Sequence, residues 1–279
     1  MRREGLALPN LFATPHLEQP MPSPFLALSE IDYAAGAKTI LSGVDLTLER
    51  GRIYGLVGPN GSGKSTLMKI IARQIAPNSG SVSWEGKPAA QWANRAFARH
   101  VAYMPQFTPA TDGMTVRELV ALGRFPWHGT LGRFTETDRD MVEQAIARTD
   151  LGDFAERPVA NMSGGERQRA WIAMMLAQNA RCLLLDEPTS ALDLAHQGAV
   201  LSLVQELSHE RGLTVVVVLH DINLASRYCD EIIALNRGRI TAKGAPETIM
   251  QADMLQTIFG VGMGVFMHPA RNELVSYLL

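Results

Sequence analysis

Residues 58–65 read Gly-Pro-Asn-Gly-Ser-Gly-Lys-Ser, which matches the phosphate-binding pattern G-x-x-x-x-G-K-[ST]. This pattern restricts the fold more than any other feature of the chain, because it requires a strand before the loop and a helix after it. Residues 52–57 form an apolar run before the loop, and Leu67, Ile70 and Ile71 follow it at helical spacing. The octapeptide therefore predicts a strand–loop–helix unit of an α/β fold, with a nucleoside triphosphate as the ligand.

The residue types of this loop suit polyphosphate binding. Glycine at positions 58, 61 and 63 permits backbone angles and close approach that a Cβ atom would block, so successive N–H groups can turn toward phosphates at the positive end of the helix. Lys64 is expected to reach the β- and γ-phosphates, and the Ser65 hydroxyl to bind Mg²⁺. The predicted nucleotide-binding residues are Gly58, Pro59, Asn60, Gly61, Ser62, Gly63, Lys64, Ser65 and Thr66.

Composition excludes several other classes of protein. The chain has 279 residues, 46% of them hydrophobic and 19% charged, which is typical of a globular protein with a full core. Its net charge of −2 provides no basic field for nucleic acid, so no nucleic-acid partner is expected. No apolar run approaches the roughly 20 residues of a membrane span. Residues 1–24 are rich in proline and lack the apolar core of a secretion signal, and they are predicted to form a disordered tail.

Hydrophobic patterning divides the rest of the chain into segments of different kinds. Residues 25–48 alternate between apolar and polar types, which predicts antiparallel strands. Residues 110–160 show helical spacing and begin with a capping box. Residues 181–185 and 213–219 are continuous apolar runs, typical of parallel strands that are covered on both faces. The chain is predicted to finish with short helices and an extended end.

The apolar run at 182–185 ends in two acids, Asp186 and Glu187. Parallel strands bring their carboxyl ends to the same edge of a sheet, so both carboxylates are expected beside the glycine-rich loop. Asp186 is placed to hold the Mg²⁺ shell, and Glu187 to polarise the attacking water as a general base. For this pair alone, the alternative is an acidic turn after a core strand.

A second small-residue turn precedes a helix at residues 161–169, which read Asn-Met-Ser-Gly-Gly-Glu-Arg-Gln-Arg. Such a helix N-terminus is an anion site. Placed before the strand that ends in Asp-Glu, this segment resembles the signature motif of the ATP-binding cassette (ABC) ATPases. Further family markers follow the expected order: Gln106 resembles the Q-loop glutamine, Asp193 lies in a segment that resembles the D-loop, and His220 resembles the switch histidine.

The resemblance covers the chain from about residue 25 to its end and implies a fold. It implies an α/β, RecA-like P-loop NTPase in the form of an ABC cassette over residues 25–279. This cassette would carry an antiparallel β subdomain, an inserted α-helical subdomain at about 107–162 and a C-terminal extension at about 236–279.

The resemblance also implies the chemistry: a translocase that hydrolyses ATP with Mg²⁺. The implied catalytic residues are Glu187, His220 and Gln106, and the implied Mg²⁺ ligands are Ser65, Gln106 and Asp186. The family works as a head-to-tail dimer, in which the signature turn of one copy closes over the ATP held by the other. The implied residues that contact the partner's ATP are Ser163, Gly164, Gly165 and Glu166, and Asp193 is the D-loop residue.

One family marker is missing from the sequence. ABC ATPases usually stack an aromatic residue on adenine, and the corresponding position here is Ala35. Tyr33 lies two residues earlier on the same side of a strand. It either stacks on adenine after a rearrangement of the loop or is an ordinary half-buried strand tyrosine, and the second interpretation is preferred.

Within the family, the sequence is most similar to subunits of importers. A cassette without membrane segments resembles an importer subunit, and residues 113–127 resemble the helical subdomain of cassettes that serve iron-siderophore, haem and cobalamin importers. Residues 127–134 and 170–174 are most similar to the ATPase of the ferric hydroxamate importer. The implied partners are a multispanning permease and, indirectly, a periplasmic siderophore-binding protein. The implied location is the cytoplasmic face of the bacterial inner membrane.

Several alternatives remain open at the level of sequence. The transported ligand could be another ferric siderophore, haem or cobalamin. The chain could belong to a different class, a soluble ABC ATPase of repair or translation, although such proteins usually carry two cassettes or a basic surface. A catalytically silent cassette is disfavoured by Glu187 and His220. Phe125 and Trp127 either close the helical subdomain or anchor the permease.

Overall fold

The strand that enters the glycine-rich loop lies in the middle of a six-stranded sheet. The structure is a computed structural model that describes residues 23–109, 111, 113–129, 132–190, 192–271 and 273–279. Most of the predicted N-terminal tail, residues 1–22, lies outside the described residues.

The strands are β1 (Leu26–Ala35), β2 (Lys38–Leu48), β3 (Ile53–Val57), β4 (Ser79–Trp84), β5 (Lys87–Pro88), β6 (Val101–Met104), β7 (Cys182–Leu185), β8 (Thr214–Val218), β9 (Glu231–Asn236), β10 (Arg239–Gly244), β11 (Met263–Met267) and β12 (Leu274–Leu278). The helices are α1 (Lys64–Ile71), α2 (Asn94–Ala98), α3 (Val116–Leu122), α4 (Phe125–His128), α5 (Glu136–Arg148), α6 (Gly164–Gln178), α7 (Leu194–Arg211), α8 (Ile222–Tyr228), α9 (Pro246–Ile249) and α10 (Ala252–Phe259).

The six-stranded sheet has the order β10-β9-β3-β8-β7-β6. Its strands β9, β3, β8, β7 and β6 are parallel, and β10 is antiparallel at the edge. Every residue of β3, β7 and β8 is buried, as the continuous apolar runs predicted. Alternate residues of β3 enter two cores. Ile53 and Val57 pack with residues of α3 and α6, whereas Tyr54 and Leu56 pack with residues of α1 and the antiparallel sheet.

A second sheet, with the order β2-β1-β4-β5, is antiparallel throughout. Leu26 of β1 lies opposite Leu48 of β2 on one side and Trp84 of β4 on the other, and all three side chains are fully buried. The turn between β9 and β10 fastens this sheet to the glycine-rich loop. Gly238 in that turn donates a hydrogen bond to the carbonyl of Ser62 (3.0 Å) and accepts one from the N–H of Ser42 (2.9 Å).

Helices α3, α4 and α5 lie between β6 and β7, and α3 and α5 pack on α6. Capping boxes begin α3 at Thr115 and α5 at Thr135, because each threonine pairs with an acidic residue three positions later. A buried ion pair ties this helical region to α6: Arg124 binds Asp138 (2.8 Å) and also donates to the carbonyl of Ala177 (2.7 Å). Burial opposes ionisation of Asp138, but its hydrogen bonds with Thr135 and Arg124 lower its pKa to about 2.

The end of the chain, predicted only as extended, forms the antiparallel hairpin β11–β12. Tyr277 lies across Gly264 on the neighbouring strand, where a Cβ atom would come within 2.3 Å of its ring. The hairpin is bound to α8 through Asn223, which accepts hydrogen bonds from the N–H (2.8 Å) and the hydroxyl (3.1 Å) of Ser276. None of the helices in the described ranges combines the length and the apolar character that a membrane span requires.

Candidate nucleotide-binding and hydrolysis site

The glycine-rich loop connects β3 to α1 at the carboxyl edge of the six-stranded sheet. Gly58 has a φ of +139°, and a Cβ atom there would lie 1.9 Å from the carbonyl oxygen of Leu235. Gly63 has a φ of +107°, and its Cβ atom would lie 2.7 Å from a methyl carbon of Leu41. Glycine is therefore required at both positions, by backbone angle and by space. The loop delivers Lys64 to the first position of α1.

Lys64 is folded over this loop and is 5% exposed. Its Nζ donates to the carbonyls of Gly58 (2.8 Å) and Pro59 (3.0 Å). Burial lowers the pKa of Lys64, and the nearby charges of Glu187 and Asp186 act in the opposite direction. The ammonium group is thus held inside the loop by neutral acceptors, which an anionic ligand could replace with stronger, charge-assisted bonds.

Asp186 follows β7 and is 2% exposed. It accepts hydrogen bonds from the hydroxyls of Ser65 (3.1 Å) and Tyr103 (3.5 Å). Burial raises the pKa of Asp186 and the charge of Glu187 adds to this effect, although the Ser65 hydrogen bond and the charge of Lys69 oppose it. A serine hydroxyl beside a buried carboxylate is a pair of hard oxygen donors of the kind that Mg²⁺ prefers. The residues present therefore fit a Mg²⁺ ion at this position.

Glu187 lies beside Asp186, and the other two predicted catalytic residues contact its side chain. Gln106 donates from Nε2 to one carboxylate oxygen (2.5 Å), and His220 Nε2 lies 2.7 Å from the other. The backbone of Glu187 has a φ of +54°, which is unusual for a residue with a side chain. The structure brings Gln106, Glu187 and His220 together, while Gln106 is directed to Glu187 instead of to the Ser65–Asp186 pair.

A cleft of about 260 Å³ opens beside the loop. The predicted nucleotide-binding residues that line it are Asn60, Gly61, Gly63, Lys64, Ser65 and Thr66, together with Glu187. Its remaining wall consists of Lys38, Thr39 and Ile40 at the start of β2, which sequence reasoning did not select. Tyr33 is half-buried and packs against the core of the antiparallel sheet, which agrees with the preferred reading of an ordinary strand tyrosine. Ala35 ends β1 at the neighbouring turn.

The signature turn, residues 163–166, begins α6 on a different side of the site. Ser163 and Glu166 form a capping box: the N–H of Ser163 donates to the carboxylate of Glu166 (2.8 Å), and the N–H of Glu166 donates to the hydroxyl of Ser163 (3.3 Å). Gly164 lines a second cleft, of about 360 Å³, which also contains Gln106 and Glu187. None of the described residues that line the nucleotide cleft belongs to the signature turn.

Asp193 caps α7 and accepts hydrogen bonds from the N–H (3.0 Å) and the Nδ1 (2.7 Å) of His196. These bonds, the backbone bond first, lower the pKa of Asp193. The His196 ring also packs on the signature turn, because a Cβ atom on Gly165 would lie 2.4 Å from its Cδ2. Leu194, which follows Asp193 in the chain, is 86% exposed. His196 therefore links the D-loop to the signature turn, a contact that the sequence spacing did not reveal.

Comparison with known proteins places the chain in a family. A family model described as ABC transporter matches residues 41–190, just over half of the chain. Similar curated proteins include the achromobactin transport ATP-binding protein of Dickeya dadantii, which is 42% identical over 86% of this chain and 89% of its own length. The iron(3+)-hydroxamate import ATP-binding protein of Bacillus subtilis is 38% identical over 89% of this chain and 92% of its own length. The hemin import ATP-binding protein of Streptomyces coelicolor is 40% identical over 97% of both chains.

Solved structures share the fold. One is a chain described as a metal-chelate type ABC transporter in an inward-facing conformation, with a TM-score of 0.80 and 26% identity over 92% of this chain and 97% of that one. Another is an ATP-binding cassette in a dimeric post-hydrolysis state bound to ADP and Pi. Its TM-score is 0.69, and it is 29% identical over 79% of this chain and 98% of that one. The glycine-rich loop, the paired acids after β7 and these matches agree: the chain belongs to the ABC transporter family and is an ATP-binding, ATP-hydrolysing subunit with the α/β P-loop cassette fold.

Proposed function

We propose that this chain binds Mg²⁺–ATP in the cleft beside the glycine-rich loop and that its ATP hydrolysis energises an importer of iron(III)-hydroxamate siderophores across the bacterial inner membrane. The observation that carries the catalytic part is the convergence of Gln106 and His220 on Glu187, next to Lys64 and Asp186. The relatives named for achromobactin, iron(3+)-hydroxamate and hemin support the importer part.

The loop residues bind the triphosphate. Lys64 exchanges its bonds with the carbonyls of Gly58 and Pro59 for bonds with the β- and γ-phosphates, and the loop N–H groups surround the phosphates at the start of α1. Ser65, Asp186 and Gln106 would hold Mg²⁺, which when bound neutralises charge on the phosphates. The Nε2 of Gln106 donates a hydrogen bond to Glu187. To bind Mg²⁺, Gln106 must therefore either release Glu187 or share its amide group between Glu187 and the ion.

Glu187 is the general base. Its carboxylate accepts the proton of the water that attacks the γ-phosphate, and its side chain is 10% exposed, so few bulk waters compete for it. His220 lies 2.7 Å from the second carboxylate oxygen and is 46% exposed, and we propose that it contacts the γ-phosphate after Glu187 turns to the water. In the arrangement described, both carboxylate oxygens of Glu187 are engaged by side chains.

A second cassette completes the site. The signature turn does not line the nucleotide cleft of its own chain, which supports a contact between residues 163–166 and the γ-phosphate of a partner. The exposed D-loop residues Asp193 and Leu194 lie in the same region. The dimeric ADP–Pi relative supports this arrangement. We therefore propose a head-to-tail dimer in which each ATP contacts the loop of one copy and the signature turn of the other.

The permease is proposed to bind at the helical insert. Phe107, Leu122 and Phe125 are 83%, 49% and 51% exposed, and large exposed apolar side chains of this kind suit a protein interface. Trp127 has a different role, because its Nε1 donates to the carbonyl of Gln178 (2.7 Å) and its ring lies under the guanidinium groups of Arg99 and Arg124. Trp127 thus closes the subdomain, and Phe125 is the candidate anchor. The complex would lie on the cytoplasmic face of the inner membrane and receive its cargo from a periplasmic siderophore-binding protein.

Transport is tested by uptake of radioactive iron in cells that lack this gene. Deletion should abolish uptake from a ferric hydroxamate and leave free ferrous iron uptake unchanged. The wild-type gene should restore uptake, and a gene encoding Glu187→Gln should not. Unchanged hydroxamate uptake with loss of uptake of another ferric siderophore, haem or cobalamin would assign that ligand instead. Full restoration by Glu187→Gln would contradict the coupling of transport to hydrolysis at this residue.

A further inference from the structure

A second large cleft lies at the opposite edge of the sheet from the nucleotide cleft. It has a volume of about 850 Å³, which falls within the range of small-molecule sites. Its floor is formed where β6, β7 and β8 begin, at His100, Arg181 and Leu213. Its rim is formed by α2 and α4 and by the C-terminal ends of α6 and α7. The residues of ATP hydrolysis lie at the other end of the same strands.

This basic cleft is lined by four arginines, Arg50, Arg99, Arg181 and Arg211, and by no carboxylate. Arg50 and Arg181 share one acidic partner outside the lining, Glu85. Arg99 binds the neutral carbonyls of Pro126 (2.9 Å) and Trp127 (3.2 Å). In the part of the chain that the structure describes, neither Arg99 nor Arg211 forms an ion pair. Four guanidinium groups against one carboxylate leave three positive charges at the cleft.

Helix ends account for part of this charge. The C-terminal ends of α6 and α7 meet the cleft at Asn179 and Gly212, and cations beside such ends are favourable. Two helix ends together supply about one negative charge. That negative charge can balance one arginine beside the helix ends, either Arg181 or Arg211. It does not balance the charges of all four arginines. A positive excess remains on a concave surface, and this favours an anionic ligand.

Two ring nitrogens beside the cleft are closed to solvent and do not add to its charge. His100 is 4% exposed and lines the cleft, yet its Nε2 has no hydrogen-bond partner among the described residues. The Nε1 of Trp92, whose ring lies 4.7 Å from that of His100, has none either. Burial, and then the charges of Arg181 and Arg50, lower the pKa of His100 to about 4, so the ring is neutral near pH 7. The positive charge of the cleft therefore comes from its arginines and not from His100.

We propose that the basic cleft is a binding site for a phosphate-bearing anion, separate from the ATP site. Guanidinium groups match phosphate geometry with paired hydrogen bonds, and Arg181 and Arg211 both line the cleft. The phosphate belongs either to a free small molecule or to a lipid headgroup, since both present the same chemistry.

The test uses the full-length Lys64→Ala protein, in which the glycine-rich loop no longer competes for phosphate. Calorimetric titration with inorganic pyrophosphate should show saturable binding that weakens about tenfold or more in Arg181→Gln/Arg211→Gln. The matched control Arg133→Gln/Arg139→Gln removes two exposed arginines of the helical insert and should bind as the parent does. Circular dichroism verifies that each variant is folded.

The two sources of phosphate are separated by flotation with vesicles of phosphatidylcholine, with and without phosphatidic acid. Binding of pyrophosphate that depends on Arg181 and Arg211 supports a free phosphate ligand. Flotation only with phosphatidic acid, lost in the same double variant and kept in the control, supports a headgroup site. The proposal is overturned if neither ligand binds, or if both arginine pairs affect binding equally, since the effect would then be one of general charge.

Discussion

At the scale of single residues, Glu187 shows how the site is constrained. Its φ of +54° places it in a backbone region that costs about 1–3 kcal/mol for a residue with a side chain. The carboxylate accepts a hydrogen bond from Gln106 and lies 2.7 Å from Nε2 of His220. A strained backbone and two side-chain contacts fix the direction of this carboxylate, as expected of a general base that must face one water molecule.

Lys64→Ala should weaken ATP binding and hydrolysis together. The lysine is the buried cation of the loop, and its loss removes charge-assisted bonds to two phosphates, so ATP affinity should fall at least ~10-fold. Calorimetric titration with ATP at a fixed Mg²⁺ concentration measures this loss. Lys69→Ala, on the same helix, is a control for loss of charge and should retain affinity close to that of the wild type. Equal affinity of Lys64→Ala and wild-type protein would refute the role of Lys64.

Gly165→Ala should reduce hydrolysis without reducing ATP binding to the isolated chain. The new methyl group would lie 2.4 Å from Cδ2 of His196, so the signature turn or the D-loop must shift, and misplacement near a reacting centre costs roughly tenfold or more in rate. His196→Ala removes the obstructing ring. The double variant Gly165→Ala/His196→Ala should therefore recover rate relative to Gly165→Ala. A double variant slower than either single variant would contradict this contact.

The sequence predicted those site residues whose roles depend on local spacing. The glycine-rich loop, Asp186 and Glu187 follow directly from the order of strand, loop and helix. The positions of Lys38, Tyr103 and His196 could not be predicted from spacing. Each of these residues reaches the site through contacts between segments that are far apart in the chain. Spacing also could not show that the Gln106 amide binds Glu187, because that contact depends on how two loops meet.

At the scale of elements, the Arg124–Asp138 pair couples the helical insert to α6. Both side chains are 5% exposed, and removing one partner of a buried pair leaves an uncompensated charge, which costs about 3 kcal/mol. Asp138→Asn should therefore lower the free energy of unfolding by about that amount at pH 7. Urea unfolding followed by circular dichroism measures the change. Asp140→Asn, an exposed position on the same helix, is the control and should change it by less than about 0.5 kcal/mol.

The contribution of Asp138 should also depend on pH. Its folded-state pKa of about 2 is below its ordinary value of 3.8, so the ionised form favours the folded state. The stabilisation is complete above pH 4 and is lost as the pH falls from about 4 to about 2. The difference in unfolding free energy between wild type and Asp138→Asn should accordingly shrink over that range. A difference that stays constant from pH 7 to pH 2 would contradict the assigned ion pair.

Elements were predictable to different degrees for physical reasons. The buried parallel strands and the capping box at Thr115 have strong local signals, in the form of continuous apolar runs and a spacing of three residues. The hairpin β11–β12 had a weak signal, since its formation depends on Tyr277 lying over Gly264 and on Asn223 of a distant helix. The short helix α4 depends on Arg95 and Arg99, which bind its carbonyls from α2.

At the scale of the whole molecule, the proposed head-to-tail dimer makes hydrolysis depend on two copies. We expect the isolated chain to be largely monomeric without nucleotide and weakly active, because the signature turn lies outside its own nucleotide cleft. Light scattering should show a shift toward dimer when ATP is added to Glu187→Gln, in which ATP is bound but not consumed. A stable dimer without nucleotide would contradict this expectation.

Mixing two inactive variants tests the head-to-tail arrangement. Lys64→Ala disables the loop, and Ser163→Arg disables the signature turn. Random pairing makes half of the dimers mixed, and each mixed dimer has one intact site of two, so the mixture should regain about a quarter of the wild-type rate. Each variant alone should remain inactive. A mixture no more active than its components would show that the two motifs do not act in trans.

The most direct measurement is the steady-state ATPase rate of Glu187→Gln beside its affinity for ATP. The substitution keeps the shape of the side chain and removes the base, which typically contributes 10²–10⁴-fold to the rate. Turnover of purified Glu187→Gln should therefore fall at least ~100-fold, with the dissociation constant for ATP within about threefold of the wild-type value. A Glu187→Gln rate close to that of the wild type would contradict the assignment of Glu187 as the general base.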